Sequence, residues 1–135
     1  MKIWKNTSTL DGFDDGLTFT KIKSKANIIL MGSKTIEIND FPNLKGIFRA
    51  GIGRDNVPEN EAKEKGVFIR YPSQKIADII FDETASFTCH LIFHMLYSNV
   101  GTIEPWVKEP RSQLSKQNLL VIGTGKIGSR VAQLM

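Results

Sequence analysis

Cysteine is almost absent from this 135-residue chain, in which Cys89 is the single example. One thiol excludes a framework of intramolecular disulfides and is typical of proteins kept in a reducing compartment. The basic start of the chain, residues 1–5, is followed by polar residues instead of the apolar segment of a signal peptide. We therefore expect a cytoplasmic protein.

Uninterrupted apolar runs of membrane-spanning length are also missing. The most apolar stretch, residues 76–96, carries several ionisable side chains, namely Asp78, Asp82, Glu83, His90 and His94. Such residues are costly in the bilayer core, so a membrane span is excluded and no membrane partner is expected.

Charge of one sign is only slightly in excess. The chain has 18 basic and 14 acidic residues and a net charge of +4. The one local cluster, Lys21, Lys23 and Lys25, alternates in a way that favours a lysine-protected edge strand over a nucleic-acid patch. With few aromatic residues as well, no nucleic-acid partner is expected.

Short apolar runs alternate with amphipathic stretches, and this pattern predicts an α/β fold with a largely parallel sheet. Strands are predicted over residues 2–4, 27–31, 44–50 and 67–71. A short helix over residues 60–65 is expected to be capped by Asp55 or Asn56. A long helix is expected from about Asp78 to Gly101, and its wide apolar stripe predicts burial on more than one side.

Three glycines near the carboxyl end form the pattern Gly-x-Gly-x-x-Gly. An apolar strand predicted over residues 119–122 runs into Gly123, which permits a tight turn. Gly125 lets the backbone approach a pyrophosphate, and Gly128 lets the following helix pack closely on the strand. The amides of Lys126 and Ile127 would face the anion. This context favours a dinucleotide site over a purely structural turn.

Only seven residues follow Gly128. The acid that holds the adenosine ribose in such units lies about 20 residues past the glycines. The chain is therefore expected to be the front part of a longer protein. NAD is the expected cofactor, and NADP stays open because the ribose-binding residue would decide between them.

A second glycine pattern follows the predicted third strand, in the run from Arg49 to Gly53. A strand that ends in Gly-x-Gly exposes backbone amides at the carboxyl edge of a parallel sheet, where open α/β sheets bind ligands. An arginine at this edge suits a small carboxylate or phosphate. The alternative, a tight turn with a surface arginine, stays open.

Polar residues on the long helix favour structural roles. His90 and His94 share a helix face, but neither an aspartate nor a glutamate follows nearby to complete a ligand set, so no metal is expected. Cys89 is predicted to be a small core residue. Asp82 and Glu83 point about 100° apart, so they do not form a paired-carboxylate site.

Four segments resemble, in order, the D-isomer-specific 2-hydroxyacid dehydrogenases, and within that family the D-3-phosphoglycerate dehydrogenase type. The segments are residues 42–47, residues 49–57, the strand after residues 65–67, and residues 123–132. Together with Glu83 and Trp106 the resemblance spans roughly residues 26–135. The Arg-Ala-Gly-x-Gly-x-Asp-Asn run with a distant Gly-x-Gly-x-Ile-Gly is more specific than either motif alone.

The resemblance implies a flavodoxin-like parallel-sheet substrate domain over residues 1–77. It implies a linking helix and connection over residues 78–117, and the first strand and partial helix of a Rossmann coenzyme domain over residues 118–135. The family's coenzyme domain forms a dimer, so a homodimer is expected.

The resemblance also assigns site residues. The backbone at Ile52 and Gly53 would hold the carboxylate of a small anionic 2-hydroxy or 2-keto acid, and Arg49 would assist. The NAD pyrophosphate would be cradled by Gly123, Gly125, Lys126, Ile127 and Gly128. The family's catalytic arginine, glutamate and histidine follow the glycine motif, so catalytic residues are expected beyond Met135 and this chain is expected to be inactive alone.

The implied activity is hydride transfer between a D-2-hydroxy acid and its 2-keto acid, with 3-phosphoglycerate among the candidate substrates. The alternative is a non-catalytic, dehydrogenase-like module that binds a small anion or dimerises. The sequence departs from the family pattern in three places that bear on this, and one is the segment from Pro72 to Glu83, which is about two residues longer than usual. Arg54 stands where the family usually has a small apolar residue, and the region before Asn27 is shorter than usual, as if one strand-helix pair were reduced.

Overall fold

The structure, a computed structural model, describes residues 1–13, 15–98, 101–102, 104–108, 110 and 113–135. The chain divides into two units, Met1–Ala77 and Asp78–Met135. Each unit has an apolar core of its own.

Four parallel strands form the sheet of the first unit, in the order β1-β2-β3-β4. They are β1 (Ile3–Lys5), β2 (Ile28–Met31), β3 (Gly46–Arg49) and β4 (Phe68–Arg70). The register pairs the first residues of neighbouring strands, Ile3 with Ile28, Ile28 with Gly46 and Gly46 with Phe68. All carboxyl ends therefore meet at one edge. The predicted α/β fold with a parallel sheet is confirmed.

One further segment lies beside β1. Phe19 forms a single parallel bridge with Ile3. The Ile3 amide donates to the Thr18 carbonyl at 2.9 Å, and the Thr20 amide donates to the Ile3 carbonyl at 2.8 Å. The spatial order is then that of a flavodoxin-like sheet, 2-1-3-4-5, in which the second strand is reduced to one bridge. This is the structural form of the shortened region before Asn27.

The edge strand predicted for Lys21, Lys23 and Lys25 is wrong, because these lysines do not lie in a strand beside β1. Lys23–Lys25 form one turn of 3₁₀ helix. The Ala26 amide donates to the Lys23 carbonyl at 3.1 Å and closes this turn. Lys23 and Lys25 lie in this turn, which leads the chain into β2.

The core of the first unit lies on the sheet. Its largest fully buried side chains are Ile29, Met31 and Ile47. Trp4 packs edge-on against Phe41 with ring centroids 5.1 Å apart. Burial of aliphatic side chains of this size contributes about 1.5 to 3 kcal/mol each, which makes the central strands the most firmly held part of the unit.

The short helix α1 (Glu59–Glu64) begins after Pro58 without a side-chain cap. The predicted capping by Asp55 or Asn56 is wrong, because the side-chain Nδ2 of Asn56 donates to the Gly32 carbonyl at 3.0 Å instead. Gly66, at φ +66°, takes the left-handed conformation that commonly ends a helix.

The long helix α2 (Gln74–Leu96) begins before Asp78 and ends before Gly101. In the second unit Ala85 and Cys89 of this helix pack with Val131, as predicted for Cys89. Other apolar side chains of α2 are exposed, among them Phe87, Leu91 and Met95. The predicted burial on more than one side is therefore wrong for the residues that the structure describes, because they cover one face only. Within the same residues no helix combines the length and apolarity needed to cross a bilayer.

The predicted strand over residues 119–122 is not formed. Leu120 is 82% exposed and Ile122 is 91% exposed. A strand needs a neighbour to take its backbone hydrogen bonds, and no described segment runs beside this one. The glycine turn leads from it directly into α3 (Gly128–Leu134).

Candidate functional site

A loop of free backbone donors follows β3 at the carboxyl edge of the sheet. The Ala50 amide still donates to the Met31 carbonyl at 2.8 Å, and that bond is the last of the ladder. From Gly51 to Asn56 no backbone amide has an acceptor among the described residues. Because most backbone amides in native proteins are paired with protein or water, a run of free donors can bind an anion. The loop residues Ile52 and Gly53, which the sequence predicted for a carboxylate, lie within it.

The Arg49 guanidinium lies against this loop. A Cβ at Gly51 would stand 2.8 Å from Arg49 Nη1, and a Cβ at Gly53 would stand 3.9 Å from Arg49 Nη2. The absence of a side chain at Gly51 is therefore what lets the guanidinium approach the backbone. Arg49 Nη1 also donates to the Met31 carbonyl at 3.5 Å. The predicted anion-binding arginine and the predicted loop are thus neighbours.

Two asparagines that the sequence did not assign to this site, Asn6 and Asn56, fix the edge. The Gly32 amide, just after β2, donates to Asn6 Oδ1 at 2.6 Å. The Gly32 carbonyl accepts from Asn56 Nδ2 at 3.0 Å. One residue thus joins the end of β1, the end of β2 and the loop after β3. Asparagines in loops are too common for sequence alone to mark these two.

Two buried side-chain atoms of the described chain lack a hydrogen-bond partner, Arg49 Nε and Asn56 Oδ1. Both belong to the residues that flank the loop. A buried polar group without a partner costs about 1 to 3 kcal/mol, so such atoms are uncommon in native structures. Their position at a loop of free amides is typical of a site that a ligand completes.

A charged cluster lies beside the same loop. Arg54 Cζ stands 4.5 Å from the centroid of the Tyr71 ring. The Tyr71 hydroxyl donates to Glu59 Oε1, and Arg54 Nη1 is 3.9 Å from that oxygen. Burial, followed by the hydrogen bond with Glu59 and its negative charge, raises the pKa of Tyr71 to about 12. The positive charges of Arg54 and Arg49 oppose this rise, so both guanidinium groups act on the same ring.

The second candidate site is the glycine turn of the other unit. Gly123 has φ +93°, a conformation that favours glycine. A Cβ at Gly128 would stand 2.0 Å from the Gly123 carbonyl oxygen, so only glycine allows this close approach. A Cβ at Gly125 would meet nothing within 4 Å, so the space before the turn is open.

Backbone donors at the turn are free, and its helix is anchored. The amides of Gly123 to Ile127 have no acceptor in the described part of the chain. Arg130 of α3 donates to the Lys126 carbonyl at 2.7 Å and to Asp82 Oδ1 at 2.5 Å. The open space and the free amides around Gly125 fit a pyrophosphate, whereas a side chain there would fill the cradle. Lys126 is exposed and Ile127 is half-buried.

The histidines of α2 form no metal site with their surroundings. The rings of His90 and His94 are 6.0 Å apart, and both side chains are exposed. No group of three or more potential ligands occurs among the residues that the structure describes. Asp82 is paired with Arg130, in agreement with the structural role predicted for the polar residues of this helix.

The sequence is similar to curated dehydrogenases, although no protein-family model matches it. It is 30% identical over 120 residues to hydroxypyruvate reductase of Thermotoga maritima. The matched region covers 84% of this chain and 39% of that protein. It is 29% identical over 98 residues to D-3-phosphoglycerate dehydrogenase of Bacillus subtilis, covering 70% of this chain and 19% of that protein. The chain therefore spans well under half the length of these relatives.

Solved structures show the same fold. D-lactate dehydrogenase from Aquifex aeolicus, in complex with NAD and lactic acid, gives a TM-score of 0.66 at 20% identity over 99% of this chain and 47% of that one. A second structure is the NADPH-dependent glyoxylate/hydroxypyruvate reductase of Sinorhizobium meliloti in complex with NADP and malonate. Its TM-score is 0.64 at 18% identity, over 98% of this chain and 49% of that one. The predicted resemblance to part of a D-isomer-specific 2-hydroxyacid dehydrogenase is confirmed.

The close approach at Gly128 predicts a difference between two glycine substitutions. Gly128→Ala should destabilise the second unit by about 1 to 3 kcal/mol, because its Cβ would overlap the Gly123 carbonyl. Gly125→Ala, in open space, should change stability by less than about 0.5 kcal/mol. Urea unfolding followed through the methyl signals of Val131 measures both, and equal losses would contradict the described packing.

The raised pKa of Tyr71 predicts a late titration. An unfolded tyrosine loses its proton near pH 10, roughly, whereas the folded Tyr71 has a pKa of about 12. Stability from this group is therefore fully present below the unfolded pKa and is lost as the pH rises through the folded one. The tyrosinate absorbance that Tyr71→Phe removes should develop near pH 12, and Tyr97→Phe should leave that late phase in place. A Tyr71 phase at the ordinary tyrosine pKa would refute the cluster.

Proposed function

We propose that this chain is the substrate-binding part, with the beginning of the coenzyme-binding part, of an NAD- or NADP-dependent D-2-hydroxyacid dehydrogenase. Residues 1–77 are then the substrate domain and residues 78–117 the linking helix and connection. Residues 118–135 begin the Rossmann domain. The proposal also includes a cytoplasmic location and no nucleic-acid or membrane partner.

The observation that carries this proposal is the loop after β3. It combines free amides from Gly51 to Asn56 with a guanidinium that lies against Gly51. Hydrogen bonds in which one partner is ionised are roughly twice as strong as neutral ones, and an arginine fork matches a carboxylate geometrically. A small 2-hydroxy or 2-keto acid fits these donors through its carboxylate.

In the proposed reaction the residues of this chain bind and orient. The amides of Ile52 and Gly53 hold the substrate carboxylate, and Arg49 neutralises its charge. This leaves the carbon that bears the hydroxyl directed away from the loop. Holding a reactant in one orientation removes much of the entropy cost of the reaction, which is how such a loop contributes to rate.

The turn from Gly123 to Gly128 is the proposed pyrophosphate site, held by the amides of Lys126 and Ile127. When bound there, the nicotinamide cofactor supplies the hydride acceptor. Glycine at Gly125 keeps the backbone accessible to a phosphate, and glycine at Gly128 keeps the helix close. The relative from Aquifex aeolicus is complexed with NAD and that from Sinorhizobium meliloti with NADP, so either dinucleotide is compatible with the proposal.

The alternative is a non-catalytic module that binds a small anion or dimerises. The exposed apolar side chains of α2, Phe87, Leu91 and Met95, favour a homodimer in either case, because apolar patches of this kind mark association surfaces. The dehydrogenase proposal is preferred because two separate loops have amides without an acceptor among the described residues, and the resemblance assigns one loop to a substrate carboxylate and the other to a pyrophosphate.

Carboxylate binding tests the loop directly. Lactate added to the isotope-labelled chain should shift the amide signals of Gly51, Ile52 and Gly53. Arg49→Gln should weaken this binding about tenfold or more, since a charged hydrogen bond contributes about 1.5 to 3 kcal/mol. Lys45→Gln removes one positive charge at the opposite end of β3 and should have no such effect. Shifts absent from the loop in the wild-type chain would disprove the proposed site.

We expect no turnover by the 135-residue chain alone. The resemblance assigns removal of the hydroxyl proton to residues that follow the glycine motif, and binding alone does not provide an acid-base pair. NADH absorbance with NAD and D-lactate, or with NAD and 3-phosphoglycerate, should stay at the level of the protein-free control. Protein-dependent NADH formation that survives further purification would overturn this expectation.

A further inference from the structure

We infer that Arg54 is a specificity-determining residue that reads a second negative charge on the substrate. The inference rests on the proposed carboxylate site and extends it. The preferred ligands are then 2-hydroxy or 2-keto acids that carry a second anionic group, a carboxylate or a phosphate, in addition to the carboxylate held by the loop.

The position of Arg54 supports this role. It directly follows Gly53, the last residue of the proposed carboxylate cradle, and its side chain is 68% exposed. A ligand held at Gly53 by one end therefore has its other end near this guanidinium. Arg49, in contrast, lies against the loop, with Nε buried. Arg49 is therefore placed for the carboxylate held by the loop, and Arg54 for a second anionic group of the same ligand.

The contacts of Arg54 hold its position and leave its N–H groups available. Its guanidinium carbon is 4.5 Å from the centroid of the Tyr71 ring, a cation-π distance. The nearest carboxylate, Glu59, is 3.9 Å from Arg54 Nη1, beyond hydrogen-bond distance. In the described part of the chain the Arg54 side chain makes no hydrogen bond. A guanidinium positioned by its face retains the donors in its plane for a bidentate anion.

Glu59 keeps its negative charge while it accepts from the Tyr71 hydroxyl, and at 3.9 Å from Arg54 Nη1 it offsets part of the positive charge of Arg54. Asp55 adds one negative charge near the cradle, since its Oδ1 stands 3.1 Å from the Cβ position of Gly53. Together these carboxylates limit the preference for a dianion to a modest factor. One solvent-exposed ion pair gives a preference of up to about fivefold.

The test compares ligands that differ by a second anionic group. Lactate and malate form one pair, and glycerate and 3-phosphoglycerate form the other. Dissociation constants for the full chain, taken from the amide shifts of Gly51 to Gly53, should favour the ligand with the second anionic group by up to about fivefold in at least one pair. The pair that shows the preference identifies the second group as carboxylate or phosphate. In the wild-type chain the preference should also shrink as salt is added, because an exposed pair is screened.

Three variants make the assignment specific. Arg54→Ala should bring the ratio of the two constants to near one, and Arg54→Lys should restore part of it. Lys25→Ala removes an exposed positive charge before β2, at the opposite edge of the sheet, and should retain the full ratio. The role of Arg54 is overturned if the preference for the second anionic group persists in Arg54→Ala, or if the wild-type chain shows no such preference. In both cases lactate binding would still support the loop. If no acid shifts the loop amides, the carboxylate site itself is wrong and this inference falls with it.

Discussion

The geometry of the candidate carboxylate site depends on the two hydrogen bonds of Gly32. Its amide and carbonyl are bound by Asn6 and Asn56, so the ends of β1 and β2 and the loop after β3 share one anchor. The strands have only three or four residues each, and such short ladders do not by themselves hold a loop. A side chain at residue 32 is excluded as well, because its Cβ would stand 2.8 Å from Thr7 Cβ. The anchor therefore requires glycine on one side and asparagine on the other.

Parallel pairing explains why this anchor is placed where a ligand would bind. Parallel neighbours all end at the same edge, and each crossover begins there. The loop after β3 therefore leaves the sheet beside the ends of β1 and β2, with its amides no longer needed by the ladder. Arg49 is the last residue of β3, so its side chain reaches this loop from the strand itself. A donor-rich edge results from the topology together with two glycines that keep the backbone uncovered.

The parts of the fold that sequence could predict are those determined within a few residues. Apolar runs gave β1 to β4 within a few residues at each end, and glycine spacing located both loops. Asn56 shows the limit, since its position suggested a helix cap, yet its side chain binds a residue 24 positions earlier. Tyr71 and Glu59, which complete the cluster around Arg54, are 12 positions apart. No local pattern contains such pairs, because they form only once the sheet brings the segments together.

The glycine turn and the apolar run before it differ in the same way. The turn is determined locally, by the positive φ of Gly123 and by the contact of Gly128 with the carbonyl of Gly123, so it forms in the described chain as the sequence predicted. The strand before it is not determined locally, because a strand exists through its neighbours, and Leu120 and Ile122 are left exposed. An apolar run with high strand propensity therefore forms a strand only where a neighbouring strand is present, whereas a glycine pattern forms its turn locally. A cofactor motif can therefore be recognised in a chain in which the sheet around it is not formed. That its glycine turn is formed says nothing about the affinity for a dinucleotide, because that affinity depends on the sheet.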